Sequence, residues 1–313
     1  MTGILELPTL CFIGFGEVSY HWIRSLCEEG YPREKLRVCY LSRRPEGLEQ
    51  ARSKASILGI QLATTQAEVA NTTGFFVHAT TPSAALTVLE GFLPILREGQ
   101  TWIDINTTSP AVKVRMAEAV EARGSHFIDA AIMAPVWKHG HRVPLFIAGK
   151  GMENLQAWAS AWGMNLIPVG PQAGQAARVK MCRSIIMKGI ATSFVEGMLL
   201  AEMLGIPEAV QQSLALDLGA DLLPEWCERF ILGTLRHAKR RAEEMAQVID
   251  TCRDEGWDPV MPLASLALLQ LITALEGKET TGFSQDYREA LRMLLQSVRS
   301  QRQAKQVMND AIK

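Results

Sequence analysis

Short apolar runs recur at intervals through the first half of the chain, and their spacing constrains the fold more than any other feature. They are Leu10–Ile13, Arg37–Leu41, Phe75–Ala79, Trp102–Ile105, Phe127–Ala130, Leu145–Ala148 and Leu166–Val169. Helix-period segments such as Ser83–Leu96 and Pro110–Arg123 separate most of them. A strand that is apolar on both faces must be covered on both. Strands alternating with helices therefore predict a mainly parallel sheet with helices on each side. Gly30, Gly99 and Gly124 follow helical segments as stop signals, and Pro110 opens one. From Gln172 onward only helical patterns remain: Ala173–Leu204, Pro207–Leu218, Gly233–Glu255, Pro259–Glu276 and Ser284–Val307. Gly205-Ile206-Pro207 and Gly256-Trp257-Asp258-Pro259 are breaks between them. The expected organisation is an α/β domain over residues 1–171 and an all-α domain over residues 172–313, joined through a long interdomain helix.

Composition narrows the class. Of the 313 residues, 48% are hydrophobic and 21% charged, and the formal net charge is -1. That is the profile of an ordinary globular protein with no global attraction to nucleic acid or an anionic membrane. No apolar run approaches the roughly 20 residues of a membrane span. The opening MTGILELPTL lacks a basic region ahead of an apolar stretch, which argues against a secretory signal. Cys11, Cys27, Cys39, Cys182, Cys227 and Cys252 are scattered, with no Cys-x-x-Cys pair. They read as reduced thiols of a cytoplasmic protein, and no metal site is expected. His139-Gly140-His141 has no acidic or cysteine cluster beside it and reads as a loop.

The first apolar run leads into Gly14-Phe15-Gly16-Glu17-Val18-Ser19 and then an amphipathic segment. In a Gly-x-Gly-x-x-Gly turn the first glycine makes the bend and the second admits a pyrophosphate. The third position needs only a small side chain for helix–strand packing, and Ser19 provides one. With a strand before and a helix after, the motif reads as a Rossmann-type dinucleotide turn. Gly14 and Gly16 shape it, and the amides of Glu17 and Val18 at the helix start face the anion. The alternative is a glycine turn that binds nothing. Where an NAD-selective domain carries an acid after its second strand, this chain has Ser42, Arg43 and Arg44. Guanidiniums and a hydroxyl suit a 2′-phosphate, so NADP(H) is expected, with NAD(H) possible.

Four further blocks follow in order: HATTPSAA (His78–Ala85), WIDINTTSP (Trp102–Pro110), FIDAAIMAPV (Phe127–Val136) and GQAARVKMCRS (Gly174–Ser184). In this order and spacing the chain resembles the β-hydroxyacid dehydrogenases, the family of 3-hydroxyisobutyrate and 6-phosphogluconate dehydrogenases. It is most similar to a bacterial phosphogluconate-dehydrogenase-like branch with its own C-terminal helical domain. The resemblance implies that Thr80, Thr81 and Pro82 line the cofactor, and that Asn106 and Thr107 lie near the nicotinamide and the substrate. It makes Asp129–Val136 the substrate loop. Here Ile132-Met133-Ala134-Pro135 replaces the serine and paired glycines of the family's loop, which implies a more apolar or larger substrate.

The same resemblance makes Lys180 the catalytic lysine, with Ser184 four residues on, where the family has asparagine. A gapless alignment would put Arg178 there instead, but a guanidinium stays charged and shuttles no protons at neutral pH. In the helical part His237, Arg241 and Glu244 fall at i, i+4 and i+7, one stripe of a helix. The stripe reads either as a solvated face or, by resemblance, as a contact of His237 and Arg241 with an acidic substrate.

The expectation is an NADP-preferring oxidoreductase that interconverts a β-hydroxy acid, or a related secondary alcohol, with its carbonyl. Lysine would be the proton donor and acceptor, the substrate a small molecule with a carboxylate, and the assembly a homodimer. Imine reduction or oxidative decarboxylation on the same scaffold is the alternative chemistry. A non-catalytic NADP-binding sensor or scaffold is the alternative of another class, and it would bind NADPH without turning over any carbonyl.

Overall fold

A computed structural model describes residues 7–42, 44–72, 74–219, 221, 223–279, 284 and 286–311. Its strands are β1 (Thr9–Ile13), β2 (Leu36–Cys39), β3 (Gln61–Ala63), β4 (Gly74–His78), β5 (Thr101–Asp104), β6 (His126–Ile132), β7 (Leu145–Gly149) and β8 (Leu166–Gly170). They form one sheet in the order β3-β2-β1-β4-β5-β6-β7-β8. Strands β1 to β6 pair in parallel, β7 runs antiparallel to β6, and β8 is parallel to β7. All seven runs read from the sequence are strands here. The one that periodicity missed, β3, is three residues at the sheet edge with only Ala63 buried, so no apolar run marks it.

The helices of this part are α1 (Glu17–Glu28), α2 (Pro45–Leu58), α3 (Ala85–Phe92), α4 (Pro110–Glu121), α5 (Val136–His139) and α6 (Met152–Ala161). Alternate strand residues send side chains to opposite faces. Leu10 and Phe12 join Trp22, Ile23 and Leu26 of α1 in one core. Cys11 and Ile13 join Phe92, Trp102, Met116 and Val120 in the other. Both faces are thus buried, as a parallel sheet demands.

The helical part comprises α7 (Gln175–Leu204), α8 (Pro207–Leu218), α9 (Leu223–Cys227), α10 (Gly233–Arg236), α11 (Ala238–Asp254), α12 (Met261–Glu279) and α13 (Tyr287–Ala311). The chain divides into two compact units, Met1–Met181 and Cys182–Lys313. The first turns of α7 go with the sheet because the amides of Gly174 and Ala177 both donate to Asp129 Oδ2, at 3.0 Å each. In the second unit Met245, Val248 and Ile249 of α11 and Leu269 and Ile272 of α12 are buried. Thr192 of α7 meets Ser265 of α12 at 3.0 Å. Contrary to the expectation from the sequence, helix α7 is long and apolar enough to cross a membrane by length and composition. Its buried residues Ala191, Val195, Met198 and Ala201 are what a core helix of a helical bundle presents.

One expected element needs correction. The stretch read as a single helix, Gly233–Glu255, is two helices separated at His237, whose φ of -122° and ψ of 23° leave the helical region. A π-helical turn, Glu228–Leu232, precedes them. The Thr234 hydroxyl donates to the Phe230 carbonyl, and the Arg241 guanidinium donates to the same hydroxyl at 2.6 Å. Arg241 thereby crosses Gly233, where an added Cβ would lie 3.0 Å from Nη2. These contacts between turns are invisible to periodicity, and His237, Arg241 and Glu244 do not form one continuous stripe.

Candidate active site

Strand β1 ends in the glycine turn. Gly14 has φ +96°, and a Cβ there would lie 2.3 Å from the Ala79 carbonyl oxygen, so only glycine allows β1 and the end of β4 to approach this closely. Gly16 differs: its conformation is extended and an added Cβ would meet nothing within 4 Å. It is exposed, it N-caps α1 without a side-chain hydrogen bond, and the first amides of α1, at Glu17 and Val18, follow it. Ser19 is fully buried against the sheet, as the third position of the motif requires. An open backbone followed by uncapped helix amides fits the pyrophosphate of a dinucleotide. Glu17 adds a carboxylate in that first turn, so its part in binding an anion is confined to its amide.

Past β2, Ser42 is half-buried and accepts the Arg44 amide at 3.2 Å, while Arg44 is exposed at the start of α2. Arg43 lies outside the described residues. No acidic side chain occupies residues 40–45.

The carboxyl ends of β4, β5 and β6 carry the most concentrated polar chemistry of the first unit. Register places Ile13, His78, Asp104 and Asp129 in one lateral row across β1, β4, β5 and β6. Residues of one row share a face, and neighbouring strands are roughly 4.8 Å apart. Two carboxylates side by side on a buried face would repel. Lys113, from α4, resolves this. Its Nζ lies 2.6 Å from Asp104 Oδ2 and 3.2 Å from Asp129 Oδ1, and it donates to the Asp104 carbonyl at 2.7 Å. Asp104 and Asp129 are wholly inaccessible and Lys113 almost so. Burial alone would pull the ammonium down, but the two carboxylates outweigh it and hold Lys113 above its ordinary value. Burial would likewise push Asp104 up, yet Lys113 and His78 hold it well below the usual carboxylate range. Lys113 and Asp104 therefore both stay charged.

The row continues toward the cofactor motif. His78 Nδ1 is 2.8 Å from Asp104 Oδ1, and its Nε2 is 3.0 Å from the Thr80 hydroxyl. Asn106 accepts the Thr80 amide at 2.8 Å and donates to Asp104 Oδ1 at 2.5 Å and to the His78 carbonyl at 3.2 Å. Both amide hydrogens of Asn106 are thus held inside the protein, and the side chain braces the turn that presents Thr80. Thr81 is exposed, with its hydroxyl 3.3 Å from that of Ser83, and Pro82 and Thr107 are half-buried. At the other end of the row Asp129 holds the first turn of α7, and Lys180 follows, half-buried, in the next turn.

In the expected substrate loop the Met133 amide donates to the Pro144 carbonyl at 3.0 Å, and the Met133 side chain packs beside Ala131, Ala148 and Ala176. Ala134 is half-buried, and Pro135 is exposed just before α5. His141, read as loop, is buried between the Ser25 hydroxyl at 2.8 Å and the Trp162 carbonyl at 2.9 Å.

The remaining expected residues belong to the second unit. Ser184 is buried and accepts from Lys188 Nζ at 3.2 Å, and that ammonium also pairs with Glu244 at 2.7 Å. Arg241 is half-buried. Burial lowers its guanidinium to about 10, Arg240 and Arg229 add to the effect, and Glu244 opposes it. His237 is half-buried at the break before α11.

Sequence reasoning quoted His78, Asp104 and Asp129 within motifs but gave them no joint role, and it passed over Lys113. A signal existed. Pro110, Lys113, Met116, Ala117 and Val120 form the buried stripe of α4, so a lysine stands where helical spacing calls for an apolar residue.

Residues 9–140 match the family described as the NAD binding domain of 6-phosphogluconate dehydrogenase. Residues 201–272 match a domain of unknown function, DUF1932. An uncharacterized 28.5 kDa protein of Methanothermus fervidus is 23% identical over 250 residues, covering 80% of this chain and 93% of that protein. The solved structure of a conserved protein of unknown function, MTH1747, described as similar to 3-hydroxyacid dehydrogenases, is 28% identical with a TM-score of 0.62. That match covers 85% of this chain and 96% of the other. The Mycobacterium tuberculosis 3-hydroxyisobutyrate dehydrogenase is 15% identical with a TM-score of 0.69, covering 92% and 99%, which shows a shared fold. The chain therefore joins an NAD binding domain of the 6-phosphogluconate dehydrogenase kind to a DUF1932 domain, on the fold of the 3-hydroxyacid dehydrogenases.

Proposed function

We propose that this protein is an NADP-preferring oxidoreductase that interconverts a β-hydroxy acid, or a related secondary alcohol, with its carbonyl. The observation that carries the reading is the glycine turn with its open position at Gly16, in a segment that matches the NAD binding domain of 6-phosphogluconate dehydrogenase. Backbone amides at Glu17 and Val18 hold the pyrophosphate, and Ser42, Arg43 and Arg44 receive the 2′-phosphate. Thr80, Thr81 and Pro82, on the turn that Asn106 braces, line the cofactor, and Thr107 and the Met133–Pro135 loop border the substrate. A bound nicotinamide supplies the hydride acceptor or donor.

Lys180 handles the proton, taking it from the alcohol oxygen in oxidation and giving it to the carbonyl oxygen in reduction. Ser184 orients that oxygen, and His237 and Arg241 supply positive charge for a carboxylate. The enzyme works as a homodimer in the cytoplasm. Support for the dimer comes from large apolar side chains left exposed on the second unit, among them Ile186, Leu204 and Leu216.

The test is a panel of β-keto acids and ketones assayed by loss of NADPH absorbance, with wild type beside Lys180→Ala. The reading requires wild-type turnover on some member and a fall of about two orders of magnitude in the variant, with NADPH binding intact. NADPH binding without turnover across the panel would instead favour a sensor.

A further inference from the structure

The buried lysine of α4 has no part in that reaction, and its place in the fold calls for one. A charged amine this far from water persists only where its partners compensate fully. Here the partners come from separate parts of the chain: Asp104 at the end of β5, Asp129 in β6, and His78 at the end of β4 one step along the row. The row is connected at both ends. On one side Asp104 receives Asn106 Nδ2, and Asn106 Oδ1 fixes the Thr80 amide. On the other, Asp129 Oδ2 receives the Gly174 and Ala177 amides. Gly174 has φ +92°, and a Cβ there would stand 3.1 Å from the Pro110 carbonyl oxygen, so α4 and the start of α7 are held at close approach just where Lys113 departs.

We propose that Lys113 is a positioning residue. Clamped between Asp104 and Asp129, it ties the Asn106–Thr80 brace at the ends of β4 and β5 to the first turn of α7, and so sets the nicotinamide end of the cofactor groove. The glycine turn, Ser42 and Arg44 serve the other half of the dinucleotide. Gly14 packs against Ala79 and Thr80. Among the described residues, however, the hydrogen bonds and ion pairs of Lys113, Asp104 and Asp129 run to one another, to His78 and Asn106 and to the start of α7, and none of these reaches Ser42 or Arg44. Losing Lys113 therefore separates two affinities that a general loss of stability would lower together. Asp104, left beside Asp129 without a cation, no longer holds Asn106 and Thr80 in place, while the adenosine half stays seated. The inference rests on the proposed cofactor site.

The experiment compares wild type with Lys113→Met in two titrations, one with NADPH followed by nicotinamide fluorescence and one with adenosine 2′,5′-bisphosphate. The double variant Lys113→Met/Asp129→Asn keeps the cluster's net charge and replaces the single variant should that one not fold. The expected result is adenosine bisphosphate affinity within about twofold of wild type, NADPH affinity weaker by about tenfold, and nicotinamide emission moved toward that of free NADPH. Parallel changes in both ligands, or no change in either, overturn the positioning role. If wild type binds neither ligand, the cofactor reading falls, and that outcome is distinct from any loss confined to the variant.

Discussion

The Ser25 hydroxyl meets Nδ1 of His141 at 2.8 Å, joining residues 116 positions apart and pinning α1 to the short turns that follow β6. The other ring nitrogen faces the Trp162 carbonyl at 2.9 Å and the Glu29 carboxylate at 3.6 Å. Burial lowers the pKa of this imidazole, with Arg142 adding to the effect and Trp162 and Glu29 opposing it. The folded protein thus binds a proton less readily here than the unfolded chain does. Its stability is complete above the unfolded value near 6.5 and declines as pH falls below it. Melting temperature measured from pH 8 to pH 5 should drop over this interval in wild type. His141→Gln should flatten the slope, and an unchanged slope would assign the acid sensitivity to another group.

The two glycines of the nucleotide turn should respond in opposite ways. Gly14→Ala drives a methyl into the Ala79 carbonyl at a positive φ, and urea denaturation should show a loss of about 3 kcal/mol or more. Gly16→Ala meets no protein atom, so stability should change by less than about 1 kcal/mol. Its methyl instead occupies the space assigned to the pyrophosphate, and NADPH affinity should fall by roughly tenfold or more. A Gly16→Ala variant that binds NADPH normally would remove the pyrophosphate from this turn.

Cofactor preference should depend on the cations after β2. Arg44→Ala is expected to weaken NADPH by roughly tenfold, about 1.4 kcal/mol, while leaving NADH nearly unchanged. Paired titrations decide the matter, and equal losses for the two cofactors would show that the guanidinium does not read the 2′-phosphate.

The buried ion cluster predicts acid lability of its own. With its pKa held below the ordinary carboxylate range, Asp104 contributes stability that is complete above the unfolded value near 3.9 and is lost as pH falls through the folded value. Wild type should therefore lose stability steeply below about pH 4. Lys113→Met, lacking the cation that depresses Asp104, should be less stable at neutral pH and lose less on acidification. Parallel stability curves for the two proteins would contradict the assignment.

The contrast between what was and was not legible in the sequence follows from range. Each β-strand with an apolar run of its own is visible along the chain, and so is the glycine turn, because strand, bend and helix are consecutive. The edge strand β3 is not, since a half-exposed three-residue strand carries no apolar signature. Neither is the break at His237, across which Arg241 reaches back to Thr234. The ion cluster is the extreme case. His78, Asp104 and Asp129 become neighbours only through lateral register, which no local pattern states. Lys113 alone left a trace, as a cation on an apolar stripe.

That row of charges has a consequence for how the chain reaches its native pairing. A strand that slips by one residue turns all its side chains over. Such an error in β5 or β6 would carry an acid to the opposite, hydrophobic side of the sheet and leave Lys113 with one carboxylate instead of two. Misaligned assemblies would thus be penalised at the carboxyl end of the central strands, and the lysine would act as an inspector of alignment before any ligand arrives.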